Sequence, residues 1–562
     1  MRIAVLDNEL CNPKKCSYEC IAACPVNREG EECIYIGPDK FHPQINESLC
    51  IGCGLCHKKC PFNAWYIVNL PEEKKESPIM QYGVNGFRVF GLPVPFQGVV
   101  GLLGPNGTGK TSALRILSGQ LAPNLGMVSE GRSKKDVYES LMKTHRGTEL
   151  QNYFERLLKE DVKSVYKPQQ VNLLPDVIKG TVKEALKNCP DEIIKQLELS
   201  AVLDRKLSEV SGGELQRVAI AAALAKDADI YYFDEPSSYL DVRQRVNVAM
   251  TIKKLAEKKL VMVVEHDLAT LDIMADRIHI FYGSPGVYGI VSQPYSVRKG
   301  INNFLDGYIP EENVKFRDPL QFEATNEKKP SKTAAVAFDE MQKNYDQFSL
   351  TVDPGIIYQN EVVGVLGANG LGKTTFAKML AERQDVKISY KPQYLDSDFA
   401  GTVAELLGTA DRQDKIIMRQ LGIERLMEKS VKNLSGGELQ RVAIALCLMK
   451  DADLYLLDEP SAYLDVDQRM ALAKILKSFG TVLIIDHDLM LINYVSDKAM
   501  LFTGEPGIRG HARVMTLNEG LNEFLKSLNV TFRKDPQTKR PRANKPDSVK
   551  DREQKEQGKY YL

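Results

Sequence analysis

A chain of 562 residues is too long for one hydrophobic core, and at roughly 150 residues per domain it predicts three or four. Charged residues make up 26% and hydrophobic ones 43%, and Lys+Arg equals Asp+Glu at 74 each, so any nucleic-acid contact must come from local patches. No run of about 18 apolar residues occurs, and Met1 to Cys11 holds two acids and no apolar leader, so the sequence predicts neither an integral membrane protein nor a secreted one.

Nine of the eleven cysteines fall before residue 61. Cys50, Cys53, Cys56 and Cys60 read C-x2-C-x2-C-x3-C and are followed by Pro61, the run that wraps an iron–sulfur cubane in bacterial ferredoxins. Cys11, Cys16, Cys20 and Cys24 repeat the pattern with wider early spacing and again end on proline, Pro25. In two-cluster ferredoxins the last cysteine of each run crosses to the other cluster. That rule assigns Cys11, Cys16, Cys20 and Cys60 to one 4Fe-4S cluster and Cys50, Cys53, Cys56 and Cys24 to the other. The competing readings are weaker. Zinc commonly takes two separated C-x2-C pairs, and a disulfide framework needs an oxidising compartment. Cys33, Cys189 and Cys447 lack partners at ligand spacing and read as buried thiols. The polar stretch 70–78 then reads as a linker, closing a ferredoxin-like domain over 1–75.

The rest of the chain is a repeat. Residues 101–111 read GLLGPNGTGKT and residues 364–374 read GVLGANGLGKT, each after an apolar strand and before a helical pattern. That is the context of a P-loop, whose glycines let backbone N–H groups close round phosphate at a helix N-terminus. Lys110 and Lys373 would reach the β/γ-phosphates, and Thr111 and Thr374 would ligate Mg²⁺. Further motifs return in the same order: Tyr166–Gln169 as Tyr390–Gln393, Ser211–Arg217 as Ser435–Arg441, and Ile230–Pro236 as Leu454–Pro460. Tyr239–Asp241 then returns as Tyr463–Asp465, and Glu265–Asp267 as Asp486–Asp488.

This ordered set resembles the nucleotide-binding domains of the ABC ATPase superfamily, present twice. The resemblance implies an α/β fold, with tandem P-loop ATPase domains behind an N-terminal α+β ferredoxin-like domain. It implies two ATP sites. One P-loop comprises Gly104, Asn106, Gly107, Gly109, Lys110, Thr111 and Ser112; the other comprises Gly367, Asn369, Gly370, Gly372, Lys373, Thr374 and Thr375. Asp234 and Asp458 would hold Mg²⁺ through its water shell, and Glu235 and Glu459 would act as general bases on the attacking water. His266 and His487 would contact the γ-phosphate. Gln169 and Gln393 would join water and Mg²⁺ to the helical subdomain. Each P-loop would meet the other copy's signature: Ser435, Gly437 and Glu438 for the first, Ser211, Gly213 and Glu214 for the second. Asp241 and Asp465 would sit at the seam between copies. Tyr82 and Tyr345 stand at equal distances before the P-loop lysines and are the expected adenine-stacking residues, with Phe87 a competitor.

The copies differ in one place. The offset between equivalent positions falls from 263 at the P-loop lysines to 224 at the later motifs, which marks a 39-residue insertion in the first copy. Its sequence over 132–160 predicts helix–loop–helix, with Lys134, Lys135, Lys143, His145 and Arg146 giving local basic character; a solvated hairpin is the plainer alternative. Each core is followed by a related segment, and the tail from Arg533 to Arg542 is basic with two prolines, suited equally to phosphate contact and to disorder. The expected domains are therefore 1–75, 76–295 with the insertion, a hinge at 296–325, 326–515, and a hinge and tail at 516–562.

Taken together, the cluster domain, the tandem ATPases, the insertion and the paired hinges resemble ABC subfamily E, the RNase L inhibitor family. The resemblance implies a cytoplasmic ribosome-recycling ATPase, monomeric with an intramolecular ATPase dimer and no membrane partner. Its cofactors would be two 4Fe-4S clusters, ATP and Mg²⁺. Its partners would be the ribosome, small-subunit rRNA and protein, a release factor or its rescue paralogue, and initiation factors. The short start before Arg2 fits an archaeal member. An ATP-gated electron-transfer protein is the main alternative, a transporter ATPase the other.

Overall fold

Two proline punctuation marks set the first local structure. The helices Glu19–Ala23 and Leu55–Lys59 each carry a cysteine (Cys20, Cys56) and stop at another, Cys24 and Cys60. The next residues, Pro25 and Pro61, push those cysteines out of the helical region, to ψ of 121° and 119°. A strand pair, Arg2–Leu6 antiparallel to Trp65–Asn69, and a hairpin, Ile34–Ile36 with Pro43–Ile45, complete this domain. Its core is small: Ala4, Ile34, Ile45 and Trp65 packed around Cys20, Cys24, Cys33 and Cys56.

The computed structural model describes residues 2–8, 10–69, 78–128, 133–320, 331–345, 347–393, 399–411 and 414–562. The expected linker lies almost wholly outside the described residues, as do Arg132 and the expected boundary at 326. The chain divides into two compact units: residues 1–94, 104–162 and 279–293 in one, and 95–103, 163–278 and 294–562 in the other.

The first unit therefore joins the cysteine domain to the P-loop part of the first ATPase copy, across the boundary expected at 75. The reason is packing: Ile3, Val5 and Val68 form one buried cluster with Val287. Asn85 and Arg88 also reach back to Glu47, Asn85 at 2.8 Å and Arg88 in an ion pair. The P-loop helix is Lys110–Leu117, and the insertion forms two helices, Lys134–Thr144 and Glu149–Leu158. Tyr138 and Phe154 pack edge to face between them at 5.7 Å, and the Tyr153 hydroxyl donates to the Leu117 carbonyl at 2.6 Å. The insertion is thus anchored on the end of the P-loop helix.

In the second unit, the first copy contributes three parallel strands, Ser164–Lys167, Ile230–Asp234 and Leu260–Val264. The second copy forms one eight-stranded sheet in the order Met341–Asn344, Ser349–Val352, Arg509–Thr516, Lys498–Glu505, Val362–Leu366, Val482–Ile485, Leu454–Asp458, Ile388–Lys391. Its last four strands run parallel, and its P-loop follows Val362–Leu366. Ligand sites of such sheets lie at the carboxyl ends of the strands, which is where Asp234 and Asp458 stand.

The basic tail is ordered, and two of its arginines are taken up inside the chain. Phe532–Lys534 and Pro541–Ala543 form a hairpin, and Arg540, fully buried, is ion-paired with the fully buried Asp272 of the first copy at 2.5 Å. Arg542 reaches the same carboxylate at 3.2 Å, and Asp535 accepts from Arg298 at 3.0 Å. The hinge residue Arg317 pairs with Asp467 of the second copy and lies 4.3 Å over the Phe304 ring. Intramolecular partners therefore take up much of the charge that composition left unassigned.

Candidate functional site

The second copy brings the residues expected at its ATP site together within a single unit. Gly372 takes φ +92° at the start of the helix Lys373–Ala381, and a Cβ there would lie 2.9 Å from the Phe348 ring, so only glycine fits both the turn and the packing. Lys373 folds back into the loop, its Nζ donating to the carbonyls of Gly367 (2.7 Å) and Ala368 (2.8 Å). Burial lowers its pKa to about 8, against the opposing pull of Asp241, Glu459 and Asp458. The loop thus holds its cation ready for an incoming phosphate.

At the sheet edge, Asp458 is buried and accepts from the Thr374 hydroxyl at 2.9 Å through Oδ2. Its Oδ1 is buried with no hydrogen-bond partner. A buried carboxylate oxygen left open beside a hydroxyl is a hard-oxygen set that fits Mg²⁺. Glu459 follows with φ +48°, a left-handed backbone rare outside glycine, and its Oε1 accepts from the Gln393 amide at 2.8 Å. His487 Nε2 lies 3.6 Å from the same oxygen and 3.0 Å from Asn369 Oδ1. Burial, with Lys373 and Arg245 nearby, depresses the His487 pKa well below the usual value, so the ring is neutral. Burial and the adjoining Asp458 raise the pKa of Glu459. A base, a neutral imidazole and a phosphate-facing lysine thus converge.

The first copy repeats the arrangement. In the second unit, Glu235 has φ +47°, accepts from Gln169 at 2.8 Å, and lies 3.6 Å from His266 Nε2, while Tyr166 donates to Asp234 at 3.0 Å. In the first unit, Lys110 donates to Gly104 (2.8 Å) and Pro105 (2.7 Å). The glutamines had been expected at Mg²⁺; here their Nε2 atoms donate to Glu235 and Glu459, the expected bases, and the amide oxygens are the atoms suited to a cation.

Two pairs were missed from sequence. Lys167 and Lys391 donate to the carbonyls of Asp234 and Asp458 at 3.0 and 2.8 Å, and Gln216 and Gln440 to those of Glu235 and Glu459 at 2.7 and 2.8 Å. Together they fix the strained turn that aims each base. The signal was present, since all four lie inside the repeated Tyr-Lys-Pro-Gln and Ser-Gly-Gly-Glu-Leu-Gln-Arg motifs.

The signature serines open the helices Gly212–Leu224 and Gly436–Leu448, each in a capping box with Glu214 or Glu438. Those glutamates therefore serve the helix start, and the exposed Ser211 and Ser435 remain at a helix N-terminus suited to phosphate. At the seam, Asp241 accepts the main-chain N–H of Asn369 at 2.9 Å, tying the first copy to the second copy's P-loop. Arg245 donates to Asp267 at 2.5 Å and to the His487 carbonyl at 3.4 Å. Asp465 caps its own helix through the N–H of Gln468.

Tyr82 and Tyr345 are exposed, and their N–H groups donate to the carbonyls of Phe87 and Phe348. The Tyr82 hydroxyl lies 2.9 Å from Ser112 Oγ, which holds its ring over the P-loop helix. The Phe87 ring packs beside Gly109, where an added Cβ would lie 3.1 Å from it.

The cysteines separate into two groups. Cys16, Cys20 and Cys60 all act on the Cys11 thiol, which burial pushes up to about 12. Cys24, Cys50, Cys53 and Cys56 line one small cavity. Among the described residues no three His, Cys, Asp or Glu side chains gather as a single metal ion requires. Soft thiols gathered in this number suit polynuclear iron–sulfur clusters, and iron must displace the protons that burial retains.

Known proteins agree with this arrangement. Residues 1–32 match the model described as a possible Fer4-like domain in RNase L inhibitor, 43–66 match the 4Fe-4S binding domain, and 90–238 and 381–462 match the ABC transporter model. The chain is 44% identical, over 100% of its length and 98% of theirs, to ABC transporter E family member 1 of Arabidopsis thaliana and to translation initiation factor RLI1 of Saccharomyces cerevisiae. The chain belongs to the RNase L inhibitor family. A solved member, described as a model of ribosome-bound archaeal Pelota and ABCE1, superposes with a TM-score of 0.91 at 50% identity, covering 100% of this chain and 99% of that one. As an RNase L inhibitor family protein the chain is an ABC ATPase that binds ATP with Mg²⁺ and carries 4Fe-4S clusters. Among the described residues no helix is long and apolar enough to cross a membrane.

Proposed function

We propose that this chain is the cytoplasmic ATPase that splits ribosomes after termination and then stays on the small subunit into initiation. One observation carries the reading: the end-to-end likeness to a relative described as ribosome-bound with Pelota, in a chain whose two copies both keep the hydrolytic set. ATP joins each P-loop to the other copy's signature and closes the two halves. Closure moves the cysteine domain against a release factor or its rescue paralogue, and the subunits part. Glu235 and Glu459 then accept the proton of the attacking water, with His266 and His487 at the γ-phosphate. Lys110 and Lys373 carry the charge of the β/γ-phosphates. Thr111 with Gln169, and Thr374 with Gln393, would hold Mg²⁺, with Asp234 and Asp458 reaching it through its water shell, and the ion would neutralise phosphate charge. Hydrolysis reopens the halves and frees the small subunit. Tyr82 and Tyr345 stack on adenine.

Sedimentation with separated subunits tests this. The iron-loaded chain comigrates with small subunits under a non-hydrolysable ATP analogue and leaves them under ADP. Failure to comigrate under either nucleotide, with iron content intact, removes the ribosomal reading.

A further inference from the structure

The cavity lined by Cys24, Cys50, Cys53 and Cys56 has a fifth cysteine in its wall, Cys33. It is 1% exposed, lies in one buried cluster with Cys20, Cys24 and Cys56, and its thiol faces the Asn46 carbonyl at 4.0 Å. A 4Fe-4S cluster takes four protein thiolates, so the cavity holds one more than the cluster needs.

The backbone explains how two cysteines from different segments reach one place. Cys24 stands at the break between the helices Glu19–Ala23 and Pro25–Arg28. Three residues on, Asn27 clamps the neighbour of Cys33 at two points: its Nδ2 donates to the Ile34 carbonyl at 2.6 Å and its Oδ1 accepts the Ile34 N–H at 2.8 Å. Cys33 is itself pinned, its N–H donating to Glu31 and its carbonyl accepting from Asn46 at 2.7 Å. Cys50, Cys53 and Cys56 belong to a single run, which meets the Cys33 segment through the main chain of Asn46, the acceptor of the Cys50 N–H at 3.1 Å. The Asn27 clamp therefore ties the segment that carries Cys24 to the one that carries Cys33, and both residues belong to the cavity wall.

We propose that Cys33 is an alternative ligand of the second 4Fe-4S cluster, exchanging with Cys24 while Cys50, Cys53 and Cys56 stay bound. The exchange balances without an oxidant or reductant: an iron–sulfur bond forms to Cys33 as one to Cys24 breaks, and the proton released by the Cys33 thiol passes to the Cys24 thiolate. This rests on the ligand assignment given above for that cluster.

Iron and acid-labile sulfide, measured on the reconstituted full-length chain, test both. Parent, Cys24→Ala and Cys33→Ala each keep about eight iron atoms, whereas Cys24→Ala/Cys33→Ala falls to about four. Cys53→Ala, with no substitute at hand, also falls to about four. A drop to about four in Cys24→Ala alone, or full content in the double variant, overturns the exchange. Full content in Cys53→Ala instead overturns the ligand assignment beneath it. Should Cys24→Ala lose its far-UV circular dichroism, Cys24→Ser is compared with and without Cys33→Ala. A difference of about four irons supports the exchange, and equal content rejects it.

Discussion

Glu235 and Glu459 hold left-handed backbone at φ +47° and +48°, a conformation that costs on the order of 1–3 kcal/mol outside glycine. It persists because a lysine and a glutamine grip the carbonyls at the same turn, leaving the carboxylate on the amide of Gln169 or Gln393. Replacing either glutamate with glutamine keeps the shape and removes the base. Single-turnover hydrolysis at that site should fall roughly 100-fold or more while ATP binding persists. Unchanged turnover in both variants would refute the assignment of the base. Lys373 gives a pH test. Its ammonium is the form that binds phosphate, and in the empty site it loses its proton near pH 8 rather than 10.5. ATP affinity at that site should therefore weaken as pH rises from 7 to 9, by equilibrium titration in a variant lacking Lys110; affinity that climbs over that range contradicts it. The residues legible beforehand were those whose chemistry demands a type: lysine for phosphate, aspartate for Mg²⁺, glutamate for water. Lys391 and Gln440 escaped notice because they bond main-chain carbonyls, and a carbonyl leaves no mark on its own residue's identity.

Among the elements, the helix Val242–Ala256 links the two sites. Its Arg245 pairs with Asp267, next to His266, and also reaches the carbonyl of His487. With Glu235→Gln silencing the first site, Arg245→Ala should slow hydrolysis at the second by about fivefold or more, the scale of an ordinary coupling between sites. A steady-state rate within twofold of the Glu235→Gln parent argues against the link. The C-terminal hairpin makes a second prediction. Arg540→Ala leaves the buried Asp272 with only Arg542 to compensate it, at a cost approaching the roughly 3–5 kcal/mol of a broken buried pair, seen as a lower urea midpoint. Adding Asp272→Asn should recover part of the loss, and no recovery would mean that shape rather than charge holds the hairpin. Composition could not foretell this pair. Two prolines among arginines look the same in a disordered tail as in a clamp whose partner lies 268 positions earlier.

For the whole molecule, the repeat made the tandem ATPase plan visible, because phosphate binding imposes the same residues at the same spacing twice. The division into units was less visible, since it turns on Val287 meeting Ile3 and Val5, apolar contacts between distant stretches. The cysteine domain has so small a core that iron must supply much of its order. Anaerobic chelation should raise hydrogen exchange across residues 2–69 and leave residues 347–393 protected; equal protection before and after would show that the domain folds without metal.

The buried Arg540–Asp272 pair also bears on the order in which the molecule is made. Synthesis is vectorial, and domains fold roughly as they emerge. Every proposed ATP-site residue through His487 precedes Arg540, so a nascent chain holds both sets of hydrolytic side chains before it can close the clamp on the first copy. A product truncated between the two positions would bind nucleotide yet lack that fastening, a half-secured enzyme that a cell's proteases could distinguish from a finished one.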